Sequence, residues 1–176
     1  MTTTKRKIIF TGGYCSGKST LAKKLSKQYG FKITDVFDYV RIHHYFIKKG
    51  FVTERILKFI YKKFLINLKQ KNFNIIEIAN DYPKIIIPRL IKILEQKKVP
   101  RENIILVFCF ASLNTCISRN KKRSKPVPLK FFKKNKHYDG NFYKKLCDKL
   151  KINFVKINTE QNFKDSYKLL LDKITN

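Results

Sequence analysis

The chain has 176 residues, 40 of them basic and 12 acidic, for a formal net charge of +28. A hydrophobic fraction of 43%, with 15 Phe and 9 Tyr, excludes wholesale disorder, and one domain of this length buries roughly 70% of its unfolded surface without a disulfide or metal staple. The longest apolar runs, Ile104–Ala111 and Ile85–Pro88, fall far short of the roughly 20 residues that span a bilayer.

Lys7–Thr11 reads as a short apolar strand. It runs into Gly12-Gly13-Tyr14-Cys15-Ser16-Gly17-Lys18-Ser19-Thr20. A helix follows, with Leu21, Ala22 and Leu25 on one face, and Gly30 closes it. Phe31–Asp35 is a second strand. Val36–Lys49 is helical in pattern, ended by Gly50. Thr53–Gln70 is strongly periodic, with Ile56, Ile60, Phe64 and Asn67 stepping along one stripe and Leu57, Tyr61 and Leu68 beside it. Phe73–Ala79 is a third strand.

Pro83–Lys97 is a helix whose start Pro83 and Pro88 obscure. Asn103–Phe110 is the clearest buried strand. Ser112 caps a helix reaching Arg119, and Asn120–Pro128 is a basic, proline-bearing loop. Leu129–Leu150 is helical with a break at Asp139-Gly140. Ile152–Ile157 is the last strand and Gln161–Ile174 the closing helix. Strands alternating with helices imply right-handed βαβ crossovers and a parallel sheet covered on both faces. Residues 1–176 read as one domain: a three-layer α/β sandwich around about five parallel strands.

Gly12-(x)4-Gly17-Lys18-Ser19 is a complete P-loop between a strand and a helix. Its glycines let consecutive backbone N–H groups, from Gly12 through Thr20, face one concavity at a helix N-terminus, which attracts anions. Lys18 reaches the β- and γ-phosphates. The Ser19 hydroxyl ligates Mg²⁺, with Thr20 as a second oxygen. The chain is therefore expected to bind ATP or GTP. No N-K-x-D guanine-reading sequence occurs, so a compact kinase-like core fits better than a GTP switch.

A kinase needs a base for the acceptor hydroxyl and cations on the transferring phosphoryl. Asp38 and Arg41 lie just past the second strand, and their spacing puts them on one helix face. Asp35 is a rival base. Arg119 and Arg123 are two of only seven arginines. They stand four apart where a helix gives way to a loop, as suits a lid over a nucleotide.

In four places these residues resemble the phage-type polynucleotide 5′-kinases. The places are the strand–P-loop–helix Ile8–Leu25, the D-x-x-R of Asp38 and Arg41, the arginine pair Arg119 and Arg123, and the following Val127-Pro128. The order agrees over about Lys7–Pro128. The resemblance implies a P-loop kinase with a lid over about 119–128. It also implies transfer of the ATP γ-phosphate to 5′-hydroxyl ends of DNA or RNA, with Mg²⁺, in an end-healing role upstream of a ligase. It makes Asp38 the base, Arg41 an acceptor-phosphate contact, and Arg119 and Arg123 nucleotide-phosphate contacts beside Lys18. The family's third strand usually ends with an Asp that braces the D-x-x-R arginine. Here Ile78 and Ala79 fall near that point, with acids only at Glu77 and Asp81.

The alternatives are a small-molecule kinase acting on a nucleoside, nucleotide or sugar, and a basic nucleic-acid-binding ATPase. A charge of +28 favours a polyanionic partner, although 33 Lys against seven Arg is also what AT-rich codons produce. The polar start Met-Thr-Thr-Thr-Lys-Arg-Lys is no signal peptide. Cys15, Cys109, Cys116 and Cys147 have no zinc spacing and read as reduced thiols, two of them core, in a cytoplasmic protein. His43-His44, Tyr39, Tyr45, Phe46, His137 and the Lys/Phe alternation of Leu129–Lys136 receive no role.

Overall fold

The computed structural model describes residues 6–36, 54–78, 82–124, 126–129, 132 and 139–175. Five strands form one parallel sheet: β1 (Lys7–Thr11), β2 (Ile33–Asp35), β3 (Ile75–Glu77), β4 (Ile104–Phe110) and β5 (Asn153–Asn158), in the order β2-β3-β1-β4-β5. The P-loop strand lies at the centre, in register Ile9↔Ile76 with β3 and Ile9↔Leu106 with β4. A parallel sheet cannot turn back on itself, so helices carry each crossover. The crossover helices are α1 (Lys18–Tyr29), α2 (Glu54–Gln70), α3 (Pro83–Gln96), α4 (Leu113–Lys121) and α5 (Gly140–Leu150), and α6 (Phe163–Thr175) follows the last strand.

Side chains alternate across a strand, and this alternation divides the core in two. Ile8, Phe10, Ile105 and Val107 face α1 and α6, meeting Leu21, Leu25, Tyr167 and Leu170. Ile9, Ile76, Leu106 and Phe108 face α2, α3 and α5, meeting Phe64, Leu90 and Tyr143. The expected three-layer α/β sandwich is present.

Several boundaries shift. β2 and β3 are three residues each, and a 3-10 turn, Arg101–Asn103, precedes β4. On α2 the buried stripe runs through Ile60, Phe64 and Leu68. Asn67 sits off that stripe and donates to Lys63 O at 3.2 Å. α3 runs straight through Pro88, because Ile86, Ile87, Leu90, Ile91 and Leu94 all bury on one side and packing outweighs one lost backbone bond. Three cysteines, not two, are buried, and all four are free thiols. Among the described residues no helix is long and apolar enough to cross a membrane.

Candidate functional site

The site forms where β1 hands over to α1. Gly12 has φ +140°, and a Cβ there would stand 2.1 Å from Cys109 O on β4. Only glycine lets the loop start this close to the neighbouring strand. Gly17, at φ 82°, is the N-cap of α1 and offers it no capping side chain, which suits a helix end directed at an anion. The remaining left-handed position is not a glycine: Cys15 has φ 59°. Gly13 has open space around it and an ordinary backbone.

Lys18 is buried and donates to Gly12 O at 2.9 Å and Gly13 O at 2.7 Å. Burial lowers its pKa, against the opposing pull of Cys109, Glu77 and Asp35. Ser19 Oγ donates to Glu77 Oε2 at 2.6 Å. Ser16 Oγ is buried and has no hydrogen-bond partner among the described residues. Tyr14 rests at 5.9 Å from the ring of Phe132.

Glu77 corrects the expectation drawn for the third strand. β3 ends at Glu77 and not at Ala79, so the strand does finish on a buried carboxylate beside the cradle. Among the hydrogen bonds described, it accepts one from Ser19 Oγ. The sequence signal was present: one acid at the end of an apolar strand, in a chain with few acids. Thr20 is exposed, and no bond joins it to that carboxylate among those described.

The facing wall comes from far along the chain. Ser112 caps α4, accepting from Thr115 N at 3.3 Å, and α4 runs on to Lys121, past the expected end. Arg119 Nη1 donates to Thr159 Oγ1 at 3.1 Å and to Cys15 O at 3.3 Å, and Arg119 Nη2 donates to Thr159 O at 2.5 Å. Arg123 Nη1 reaches Cys15 Sγ at 3.6 Å. Thr159 Oγ1 also donates to Ser16 O at 3.0 Å. Glu160 accepts from Ser112 Oγ at 2.5 Å and Thr115 Oγ1 at 2.6 Å, and these hydrogen bonds hold its carboxyl below the usual carboxylate range. A cavity of about 530 Å³ lies between Lys18, Arg119, Arg123, Thr159, Gln161 and Phe163. Sequence reading missed Thr159, Glu160, Gln161 and Phe163, since nothing near them in the chain marks their destination.

The structure thus brings Cys15, Ser16, Gly17, Lys18, Ser19, Thr20, Arg119 and Arg123 around one cavity, with Gly12 O bonded to Lys18 behind it and Asp35 close enough to act on Lys18. Asp38, Arg41, Asp81, His43, His44, Tyr39, Tyr45, Phe46, His137, and most of Leu129–Lys136 lie outside the described residues.

The fold is that of solved P-loop kinases. A gluconokinase from Sinorhizobium meliloti superposes with a TM-score of 0.67 at 12% identity, over 97% of this chain and 92% of that one. A deoxyadenosine kinase from M. mycoides gives 0.62 at 21% identity, over 96% and 98%. A shikimate kinase from Bacteroides thetaiotaomicron gives 0.60 at 13%, over 97% and 99%. No protein-family model and no curated protein matches the chain.

Proposed function

We propose that this chain is an ATP-dependent kinase that phosphorylates a hydroxyl of a small molecule of the nucleoside or sugar class. The observation that carries the reading is the convergence on one cradle of Lys18, the Ser19–Glu77 pair at 2.6 Å and the two arginines of α4 and its loop. The neighbours in fold are a gluconokinase, a deoxyadenosine kinase and a shikimate kinase, and all three names denote small acceptors.

The residues fit ATP and Mg²⁺. The cradle needs Gly12 where any Cβ would clash, and the buried Ser16 hydroxyl, without a partner among the described residues, suits a phosphate oxygen. No group of three His, Cys, Asp or Glu ligands occurs among the described residues. A hydroxyl and one carboxylate, Ser19 and Glu77, suit a cation that takes its other ligands from phosphates and water. Ser19 and Glu77 would hold Mg²⁺, which would supply positive charge against the phosphates.

Lys18 and the N-terminus of α1 grip the phosphates, while Arg119 and Arg123 approach them from the opposite wall. Asp38 accepts the acceptor's hydroxyl proton. Asp35, at the end of β2, offsets the charge of Lys18. Arg41 orients the acceptor. Asp38→Asn is expected to lower kcat by about 10²–10⁴ with ATP affinity held, whereas the same loss in Asp35→Asn would move the base to Asp35. Consumption of ATP and the four free thiols support a cytoplasmic location.

A second reading, a polynucleotide 5′-hydroxyl kinase acting on nucleic-acid ends, draws on the charge of +28 and on the R-N-x-K-R segment with its V-P. Transfer from γ-labelled ATP to a panel of deoxynucleosides, gluconate, other sugars and a 5′-hydroxyl oligonucleotide decides between the two. Label is expected on a small acceptor. Label on the oligonucleotide alone establishes the second reading. ATP binding with no transfer at all overturns both.

A further inference from the structure

The geometry points to Asn120 as a positioning residue that clamps the loop after α4 and so aims Arg123 at the phosphate loop beside Arg119. This rests on the reading that the cavity takes ATP, and it adds the residue that sets the wall opposite Lys18.

Asn120 is 4% exposed, which is rare for an amide and costs free energy unless its donors and acceptors are met. They are met by the loop itself. Asn120 Nδ2 donates to Val127 O at 2.8 Å, and Val127 N donates back to Asn120 Oδ1 at 2.8 Å. The primary amide thus imitates a strand neighbour, pairing with both main-chain groups of Val127. Its own carbonyl accepts from Arg123 N at 3.1 Å, so the same residue ties down the backbone of the second arginine. Oδ1 also faces Cys15 Sγ at 3.8 Å. Cys15 is the residue that both guanidiniums reach, Arg119 at its carbonyl and Arg123 at its sulfur.

One buried side chain therefore joins the end of α4, the loop and the phosphate cradle, and it sits between the two arginines in sequence. The apolar alternatives at a buried helix end fill the space but pair with nothing. The R-N-x-K-R segment and the V-P that follows it are two halves of one clamp.

The test is a double-mutant cycle read in binding of a fluorescent ATP analogue with Mg²⁺. Asn120→Ala and Arg123→Ala are each expected to weaken binding about tenfold, and the double variant also by only about tenfold, because the clamp acts through the arginine. Val127→Pro removes the Val127 N–H and with it the bond to Asn120 Oδ1, leaves the Val127 carbonyl for Asn120 Nδ2, and is expected to weaken binding about threefold, less than the full amide loss. It takes the place of Asn120→Ala in the cycle if that variant fails to fold.

Losses that multiply to about a hundredfold in the double variant, or unchanged affinity in both Asn120→Ala and Val127→Pro, overturn the inference. The cycle is read in binding, so it stands whether or not phosphate is transferred. Absent transfer with a non-additive cycle removes the kinase reading alone. A chain that does not bind the nucleotide removes both.

Discussion

The two walls of the cavity are built in opposite ways. The phosphate loop is a continuous run, Gly12–Thr20, whose shape follows from backbone freedom at Gly12 and Gly17 and from the helix start behind it. The facing wall is a network of side chains. Arg119 meets Thr159, Glu160 meets Ser112 and Thr115, and Asn120 meets Cys15. Each link joins segments tens of residues apart. A wall made of backbone fails abruptly when one atom is added. A wall made of side chains should weaken link by link.

Gly12→Ala tests the first half of that contrast. The new Cβ meets a backbone carbonyl at 2.1 Å, with φ at +140°, so we expect a loss of about 3 kcal/mol or more together with nucleotide binding. Urea denaturation and ATP titration measure both. An unperturbed variant would break the comparison.

Thr159→Val tests the second half with the shape kept. Its hydroxyl serves Arg119 and Ser16 O at once, and its removal is expected to cost about 1–3 kcal/mol. KM for ATP should rise while the phosphate loop persists, as steady-state kinetics can show.

Cys15→Gly joins the two walls. Relief of a left-handed non-glycine residue returns about 1–2 kcal/mol, and the added freedom of glycine in the unfolded chain removes about 0.5–1 of it. A net gain of a few tenths in denaturant midpoint is expected, with a loss of the thiol's contacts to Asn120 and Arg123.

The smallest effect belongs to Glu160. Its folded pKa lies below its ordinary 4.5, so its contribution is present above that value and disappears as pH falls through the lower folded one. Glu160→Gln should therefore lower Tm slightly near neutral pH, and the difference should vanish once the pH has fallen through the lowered folded pKa. A difference that survives in acid would assign the effect to shape.

The sequence made one wall legible and left the other dark for the same reason. Lys18 and Ser19 lie next to the glycines that position them. The apolar run Ile8, Ile9 and Phe10 likewise marked β1 as a buried strand, while the face each side chain takes was set by the helices packed on it. Short apolar runs overstate strands, however, and Phe73–Ala79 shrank to Ile75–Glu77 once pairing with β1 and β2 set its limits. That shift turned Glu77 from a misplaced acid into the partner of Ser19. Thr159 gave no local signal because its role comes from Arg119 and Ser16, both distant in the chain.

The ammonium of Lys18 already holds two carbonyls of its own loop. A phosphate entering the cradle must win that proton-rich group away from the main chain, so docking there is a swap of acceptors and not the creation of bonds from nothing. Removing the lysine should accordingly harm turnover far more than occupancy, because the swap adds little to the resting complex, while charge building up in flight between donor and acceptor loses the ammonium held in the cradle.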